Sequence, residues 1–346
     1  MDLDGRSIGA GSSCFVIAEV GVNHNGDVHL AHDLVDAAAD TGADAVKFQT
    51  FRALDLVAPG APTATYQRTG RSGQDRQLEL LAGLELPIDA LQALRDRCRS
   101  RGITFLSTPF DPSSADLLDE LDVPAFKVSS GELTNLPFLA DLAGRGRPML
   151  VSTGMADLAD VAAAVDVIRG AGNDDLVLLQ CVSCYPAPAA AANLRAMASM
   201  REAFGVEIGY SDHTLGATVA IAAVALGASV LEKHLTLDRT QPGPDHRSSL
   251  EPAELTSLIV AVRDVEAALG DGVKQPAPCE AETAAVARKS LVTTRDLPAG
   301  HPLADDDLAA RRPGTGFAPD RRDDLLGRRL ARDVGVGTVL GPDDLR

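Results

Sequence analysis

The feature that most narrows what this chain can fold into is a unit repeated eight times. A short apolar, β-branched run ends in Gly, Pro, Ser or Thr and passes into an amphipathic or Ala-rich stretch. The runs are FVIAEV (15–20), AVKFQTF (45–51), ITFLSTPF (103–110), AFKVSSG (125–131), PMLVSTGM (148–155), LVLLQCVSCYP (176–186), EIGYSDH (207–213) and SVLEKHLT (229–236). Helical patterns separate them, among them LAHDLVDAAADTGA (30–43), DLADVAAAVDVIRGAG (157–172) and, after the last run, PAELTSLIVAVRDVEAALG (252–270). Strands alternating with helices imply βαβ units and a parallel sheet. Eight units within residues 1–270 match a (β/α)8 TIM barrel in number and size. A doubly wound open sheet is the alternative, but no Gly-x-Gly-x-x-Gly turn follows any run. The connection 52–86 is too long for a simple loop and reads as an insertion over the barrel mouth.

Barrels of this kind place their chemistry at the C-terminal ends of the strands. Polar residues gather there in every run: Glu19, Lys47 with Gln49, Thr108, Lys127, Ser152, Ser183 with Tyr185, Ser211 with His213, and Glu232 with His234. Residues two apart share a strand face, so each of these pairs can point inward together while Lys233 points out.

Past residue 270 the chain changes character. Residues 271–286 read as a linker with a short helix, and 287–346 as a small β-rich module punctuated by Pro-Ala-Gly and Pro-Gly-Thr-Gly turns. Residues 287–346 hold 11 Lys+Arg against 10 Asp+Glu, whereas the rest of the chain holds 21 against 39. A module this short is near the lower limit for an independent core and is expected to lean on another surface. The net charge of −17 argues against nucleic-acid and membrane-surface partners, which are polyanions. No apolar run reaches the length of a membrane helix, no secretory pattern opens the chain, and five cysteines are scattered through it. The expectation is a cytoplasmic protein with reduced thiols.

Three constellations carry chemistry. His213 and His234 end adjacent strands and can converge on one divalent metal, Mn²⁺, Co²⁺ or Zn²⁺, or else be two hydrogen-bonded rim histidines. Lys47 and Lys127 are two of only five lysines against 27 arginines. With Thr108, Ser130, Ser152 and Ser211 they can cradle a phosphate or carboxylate, or one of them can form a Schiff base. Glu19 and Glu232 end neighbouring strands and can divide general acid–base work and ligand orientation. Cys181-x-x-Cys184 is discounted as a metal or redox motif, since no second such pair exists. Among the other histidines, His24 and His246 lie near candidate site loops.

The strings IAEVGVNHNGD, AVKFQTF, FLSTPFD, FKVSSGELTNLPFL, LVSTGMA, GYSDHT, LEKHLTLD and GPDHRSSLEP resemble the bacterial sialic acid (nonulosonic acid) synthase family. The tail, ARKSLV to RRPGTG, is similar to that family's C-terminal antifreeze-like (SAF) domain. The resemblance runs from about residue 15 to 346 and is nearer the neuraminate and legionaminate types than the pseudaminate type. It implies metal-dependent condensation of phosphoenolpyruvate with an N-acetylated amino sugar, giving a nine-carbon 2-keto acid and phosphate by C–O cleavage. N-acetylmannosamine is the expected sugar, with a 2,4-diacetamido-trideoxyhexose, and hence N,N'-diacetyllegionaminate synthesis, as the alternative. A Schiff-base aldolase and a non-catalytic sugar-binding protein are more distant alternatives.

The resemblance also assigns roles. His213 and His234 match metal ligands, with Mn²⁺ expected and Mg²⁺ or Co²⁺ possible. Lys47, Thr108, Lys127, Ser130, Ser152 and Ser211 match positions that hold phosphoenolpyruvate. Glu19 matches the acid/base carboxylate, and Gln49, Glu132, Tyr185 and Asp245 match sugar contacts. Ser183 stands where the family often has an Asn. Arg312 matches an arginine inserted into the partner subunit's barrel, which implies a homodimer exchanging its C-terminal modules.

Overall fold

The computed structural model describes residues 1–58, 61–62 and 77–346. They form two compact units, Met1–Gly270 and Asp271–Arg346. Among the described residues no helix is long and apolar enough to cross a membrane.

The first unit contains one eight-stranded parallel sheet: β1 (Phe15–Gly21), β2 (Ala45–Thr50), β3 (Thr104–Pro109), β4 (Phe126–Val128), β5 (Met149–Ser152), β6 (Leu176–Cys181), β7 (Glu207–Asp212) and β8 (Val230–His234). Their order is β3-β2-β1-β8-β7-β6-β5-β4, so β1 and β8 are neighbours. β3 and β4 lie side by side at the remaining seam, making a nearly closed TIM-like barrel. All eight expected strands are present. They read as continuous apolar runs because both faces are buried.

Alternate residues on each strand have different tasks. Outward-facing Val16, Ala18, Val46, Phe48 and Val151 pack against Leu34, Leu94, Leu118, Leu139 and Ile168 of the surrounding helices. Inward-facing Phe15, Ile17, Ala45, Leu106, Leu150, Leu179 and Val230 fill the lower barrel with Leu3 and Ile8 of an N-terminal hairpin. Each buried Val, Leu, Ile or Phe among them stabilises the fold by roughly 1.5–3 kcal/mol. Two residues further along the same inward face the side chains turn polar: Ile17 is followed by Glu19, Ala45 by Lys47, Leu106 by Thr108, Leu150 by Ser152 and Val230 by Glu232. The apolar layers thus form a floor on which a polar layer stands.

The outer ring is set by local signals. Asp27 caps the helix Val28–Asp40 by accepting from the amides of His29 and Leu30, and Asp157 forms a capping box with Asp160 at Leu158–Gly170. Helices Ile88–Arg101, Pro112–Glu120, Leu136–Gly144, Ala196–Phe204, Thr218–Ala225 and Pro252–Leu269 complete the alternation. Of the long 52–86 connection, helices Ala53–Leu56 and Gln77–Ala82 are described, and residues 59–60 and 63–76 lie outside the described residues. Leu56, Leu80 and Leu81 there pack against Val22, Phe51, Leu84 and Phe110.

The second unit pairs strands Ser290–Thr293 and Leu308–Arg311 antiparallel. Leu291, Leu297, Leu303, Leu308, Leu330 and Leu340 are buried in one cluster, so this module has more core of its own than its length suggested. The stretch read as a linker contributes the helix Ala281–Ala287, whose Ala285 carbonyl accepts from the Gly314 amide at 2.7 Å.

Candidate active site

A cavity of about 750 Å³ opens at the C-terminal ends of the strands, within the usual size range of small-molecule sites. Its floor is a cluster of four buried charges. Lys47 Nζ lies 2.8 Å from Glu19 and 3.6 Å from Glu232, and donates to Thr108 Oγ1 at 3.0 Å. Lys127 Nζ lies 3.7 Å from Glu232 and donates to Ser152 Oγ at 2.8 Å. Ser211 donates to Glu232 at 2.8 Å.

The two carboxylates are driven apart. Burial pushes Glu19 up to about 7, a rise that the neighbouring Lys47 only partly offsets. Burial works in the same direction on Glu232, but Lys127, Lys47 and the Ser211 hydroxyl outweigh it and hold that carboxyl at about 2. Glu19 can therefore exchange a proton near neutrality while Glu232 remains a fixed anion. Environments that push two neighbouring carboxylates in opposite directions suit them to different tasks. Burial also opposes charge on Lys47, yet Glu19 and Glu232 outweigh it and raise that ammonium; Lys127 is lowered by burial.

Beside this cluster the loop after β5 leaves a space. The Gly154 amide donates to Ser130 Oγ at 2.9 Å. A Cβ at Gly154 would stand 2.4 Å from Ser183 Oγ, 2.8 Å from Ser130 Oγ and 3.3 Å from Cys181 Sγ. Without that methyl, the Ser183 and Ser130 hydroxyls pack close against the loop on the cavity wall, where hydroxyl protons can turn toward an anion. Gly21 does the same at a bulge in β1, where its φ of +56° excludes most residues and a Cβ would press on Glu19 at 2.9 Å.

The imidazoles of His213 and His234 face each other with ring centroids 5.4 Å apart, and Tyr185 lies 4.2 Å from the first and 5.9 Å from the second. His213 Nδ1 is 2.9 Å from the Val182 carbonyl, which leaves Nε2 as the nitrogen available for ligation. His234 Nδ1 is buried with no hydrogen-bond partner, and burial holds this imidazole well below its usual range, hence neutral. Asp245, raised to about 6 by burial, approaches it at 4.0 Å; with the imidazole neutral this is no ion pair. Two nearby imidazoles, one neutral with an unpartnered nitrogen, fit a divalent cation whose other ligands come from substrate and water. Among the described residues no group of three or more His, Cys, Asp or Glu forms a complete protein cage.

The remaining positions complete the wall. Gln49 Nε2 lies 3.4 Å from Glu19, and Glu132 accepts from Asn135 at 2.8 Å. The cavity thus gathers Glu19, Lys47, Gln49, Thr108, Lys127, Ser130, Glu132, Ser152, Ser183, Tyr185, Ser211, His213, Glu232, His234 and Asp245. Arg312 belongs to the second unit, where it is exposed and donates to the Ala287 carbonyl at 3.0 Å. His24 and His246 do not line this cavity; the Gly26 amide bonds His24, and His246 lies 2.7 Å from Thr236 Oγ1.

Sequence reasoning missed Cys181 and an apolar side of the cavity built by Phe51, Leu80, Leu84, Phe110 and Met155. Cys181 lies two residues before Ser183, so the same-face rule would have found it. Setting it aside with Cys184 hid that; Cys181 is buried and Cys184 exposed.

A family model described as the NeuB family matches residues 34–274, and one described as the SAF domain matches 288–346. The N,N'-diacetyllegionaminic acid synthase of Legionella pneumophila is 44% identical over 336 residues, covering 96% of this chain and 94% of that protein. The N-acetylneuraminate-9-phosphate synthase of Mus musculus is 37% identical, covering 94% and 91%. The crystal structure of an N-acetylneuraminic acid (sialic acid) synthetase from Leptospira borgpetersenii superposes with a TM-score of 0.73 at 33% identity, covering 82% of this chain and 94% of that one.

Proposed function

Because the chain belongs to the NeuB family, we propose that it condenses phosphoenolpyruvate with an N-acylated amino sugar to a nine-carbon 2-keto acid and phosphate. N-acetylmannosamine gives way to a 2,4-diacetamido-trideoxyhexose as the preferred sugar, which makes the product N,N'-diacetyllegionaminate. The higher identity to the relative named for that product than to the one named for N-acetylneuraminate 9-phosphate supports this choice.

The observation that carries the reading is the charge layer on the barrel floor. Phosphoenolpyruvate brings two anionic groups into a strongly acidic protein, and Lys47 and Lys127 supply buried cations for them. Thr108, Ser130, Ser152, Ser183, Ser211 and the Gly154 cradle add hydrogen-bonding groups around those cations. Gln49, Glu132, Tyr185 and Asp245 contact the sugar. C3 of the enol attacks the aldehyde carbon, and protonated Glu19 supplies the proton that the aldehyde oxygen gains. Water then adds to the cation at C2, Glu19 takes a proton back from it, and the C–O bond to phosphate breaks as the C2 hydroxyl becomes the ketone and its proton leaves with the phosphate. A value near 7 suits one carboxyl to both transfers. Glu232 stays anionic and holds the two ammonium groups in place. His213 and His234 would hold a divalent cation, Mn²⁺ first and Mg²⁺ or Co²⁺ as alternatives, which supplies Lewis-acid polarisation of the aldehyde when bound.

The test offers the full chain phosphoenolpyruvate and a divalent metal with a mixture of N-acetylmannosamine and the diacetamido sugar, and reads products by mass spectrometry. The expected result is chelator-sensitive phosphate release with the diacetamido product in excess. His213→Ala and His234→Ala should each abolish turnover while leaving the barrel folded. A borohydride-trapped pyruvate adduct on Lys127 would overturn this mechanism in favour of a Schiff-base aldolase, to which the lowered ammonium of Lys127 is suited.

A further inference from the structure

On the outer face of the strands that carry the two histidines, a buried ion pair has no part in the chemistry above. Lys233 and Asp212 are direct cross-strand partners of β8 and β7, with side chains 0% exposed and Nζ 2.8 Å from Oδ2. Lys233 Nζ also donates to the Thr214 carbonyl, and the other Asp212 oxygen accepts from the Thr214 amide at 2.8 Å. The residues it grips, Asp212 and Thr214, flank His213, and Lys233 itself immediately precedes His234. One side chain therefore ties down the chain next to both imidazoles.

That grip acts where the ladder between β7 and β8 ends, although on the other side of β7 the Ala187 amide still donates to the His213 carbonyl at 2.8 Å. β7 ends at Asp212, so His213 is the first residue that the strand does not include. On the inner face Ser211 and Glu232 pair through a hydrogen bond of 2.8 Å. One step further, the imidazoles face each other without bonding, so apart from the Val182 carbonyl on His213 Nδ1 it is the backbone behind them that sets their separation. A fully buried ion pair is not a reliable source of stability, since apolar replacements of similar volume often fold as well. Such a pair, in a chain with only five lysines, can instead serve to set geometry.

We propose that Lys233, through Asp212 and the Thr214 carbonyl, is the positioning residue that fixes His213 relative to His234 and so sets the affinity of this pair for a divalent cation. This rests on the reading of the two histidines as metal ligands. The test is a cobalt(II) titration of the full chain, followed by visible absorption, beside thermal unfolding of the metal-free protein. The double variant Asp212→Leu/Lys233→Met removes both charges at once, so neither is left buried alone. Its metal-free unfolding midpoint should stay within about 4 °C of the parent, while cobalt affinity falls by about tenfold or more. Asp212→Asn, nearly isosteric, should show a smaller loss in the same titration, and it decides the matter if the double variant does not fold. Unchanged cobalt affinity in the folded double variant, or in Asp212→Asn when only that variant folds, overturns the proposal alone. A parent chain that binds no cobalt, or binds it equally well as His213→Ala, overturns the metal reading and this proposal with it.

Discussion

Glu19 and Glu232 end neighbouring strands and share Lys47, yet their environments give them opposite linkage to pH. With Glu19 raised from 4.5 to about 7, the folded chain keeps a proton that the unfolded chain has released, so this group makes stability fall as pH rises through that window. Glu232, lowered from 4.5 to about 2, contributes stability that is present above 4.5 and is lost as pH falls towards 2. Denaturant midpoints measured between pH 4.5 and 7 should therefore change more gently with pH in Glu19→Gln than in the parent. The same substitution should lower kcat by about 10²–10⁴-fold and remove a limb near pH 7 from the rate profile, as expected for a general acid–base group. A limb that persists in Glu19→Gln would assign the titration to another group. Both carboxylates were legible in the sequence because strand ends and a period of two fix which residues face inward. Their different protonation was not, since it depends on distances to Lys47, Lys127 and Ser211 that only the closed barrel creates.

Elements show the same division between what pattern reveals and what packing decides. The eight strands were readable because most are short, largely apolar runs with polar residues towards their ends, a signal imposed by burial on both faces. The apolar side of the cavity was not, because Leu80 and Leu84 reach it from the long connection between β2 and β3, whose path no periodicity announces. Gly154 was equally silent; a glycine in a loop after a strand looks like a turn residue. Its value lies in the 2.4 Å and 2.8 Å at which a Cβ would meet Ser183 and Ser130. Gly154→Ala should turn those hydroxyls out of the cradle and raise KM for phosphoenolpyruvate by about tenfold, the cost of roughly 1.4 kcal/mol of lost anion binding. KM for the sugar and the thermal midpoint should change little. An unaltered phosphoenolpyruvate KM would place the anion elsewhere in the cavity.

For the whole molecule, charge is divided unevenly between the two parts of the chain. The 21 basic and 39 acidic residues outside 287–346 leave the barrel-bearing part strongly negative, whereas the module carries 11 against 10. The module buries a leucine core of its own. Among its exposed cations Arg312, whose guanidinium Nε donates to the Ala287 carbonyl, is the one the family resemblance singles out. We propose that two chains exchange modules, so that Arg312 of each meets the anionic substrate in the other's cavity; an arginine suits that contact because its planar fork pairs with carboxylate and phosphate. Exchange makes a mixing prediction. Arg312→Ala and Glu19→Ala homodimers should each be nearly inactive. In a heterodimer of the two, one cavity has a native Glu19 and receives a native Arg312 from the other chain. Dissociating and reassociating the two variants together should therefore restore about a quarter of parental activity, since random pairing makes half the dimers mixed and each mixed dimer has one complete site of two. Verified heterodimers with no activity above either parent variant, or a monomer with full turnover in sedimentation, would show that each chain completes its own site.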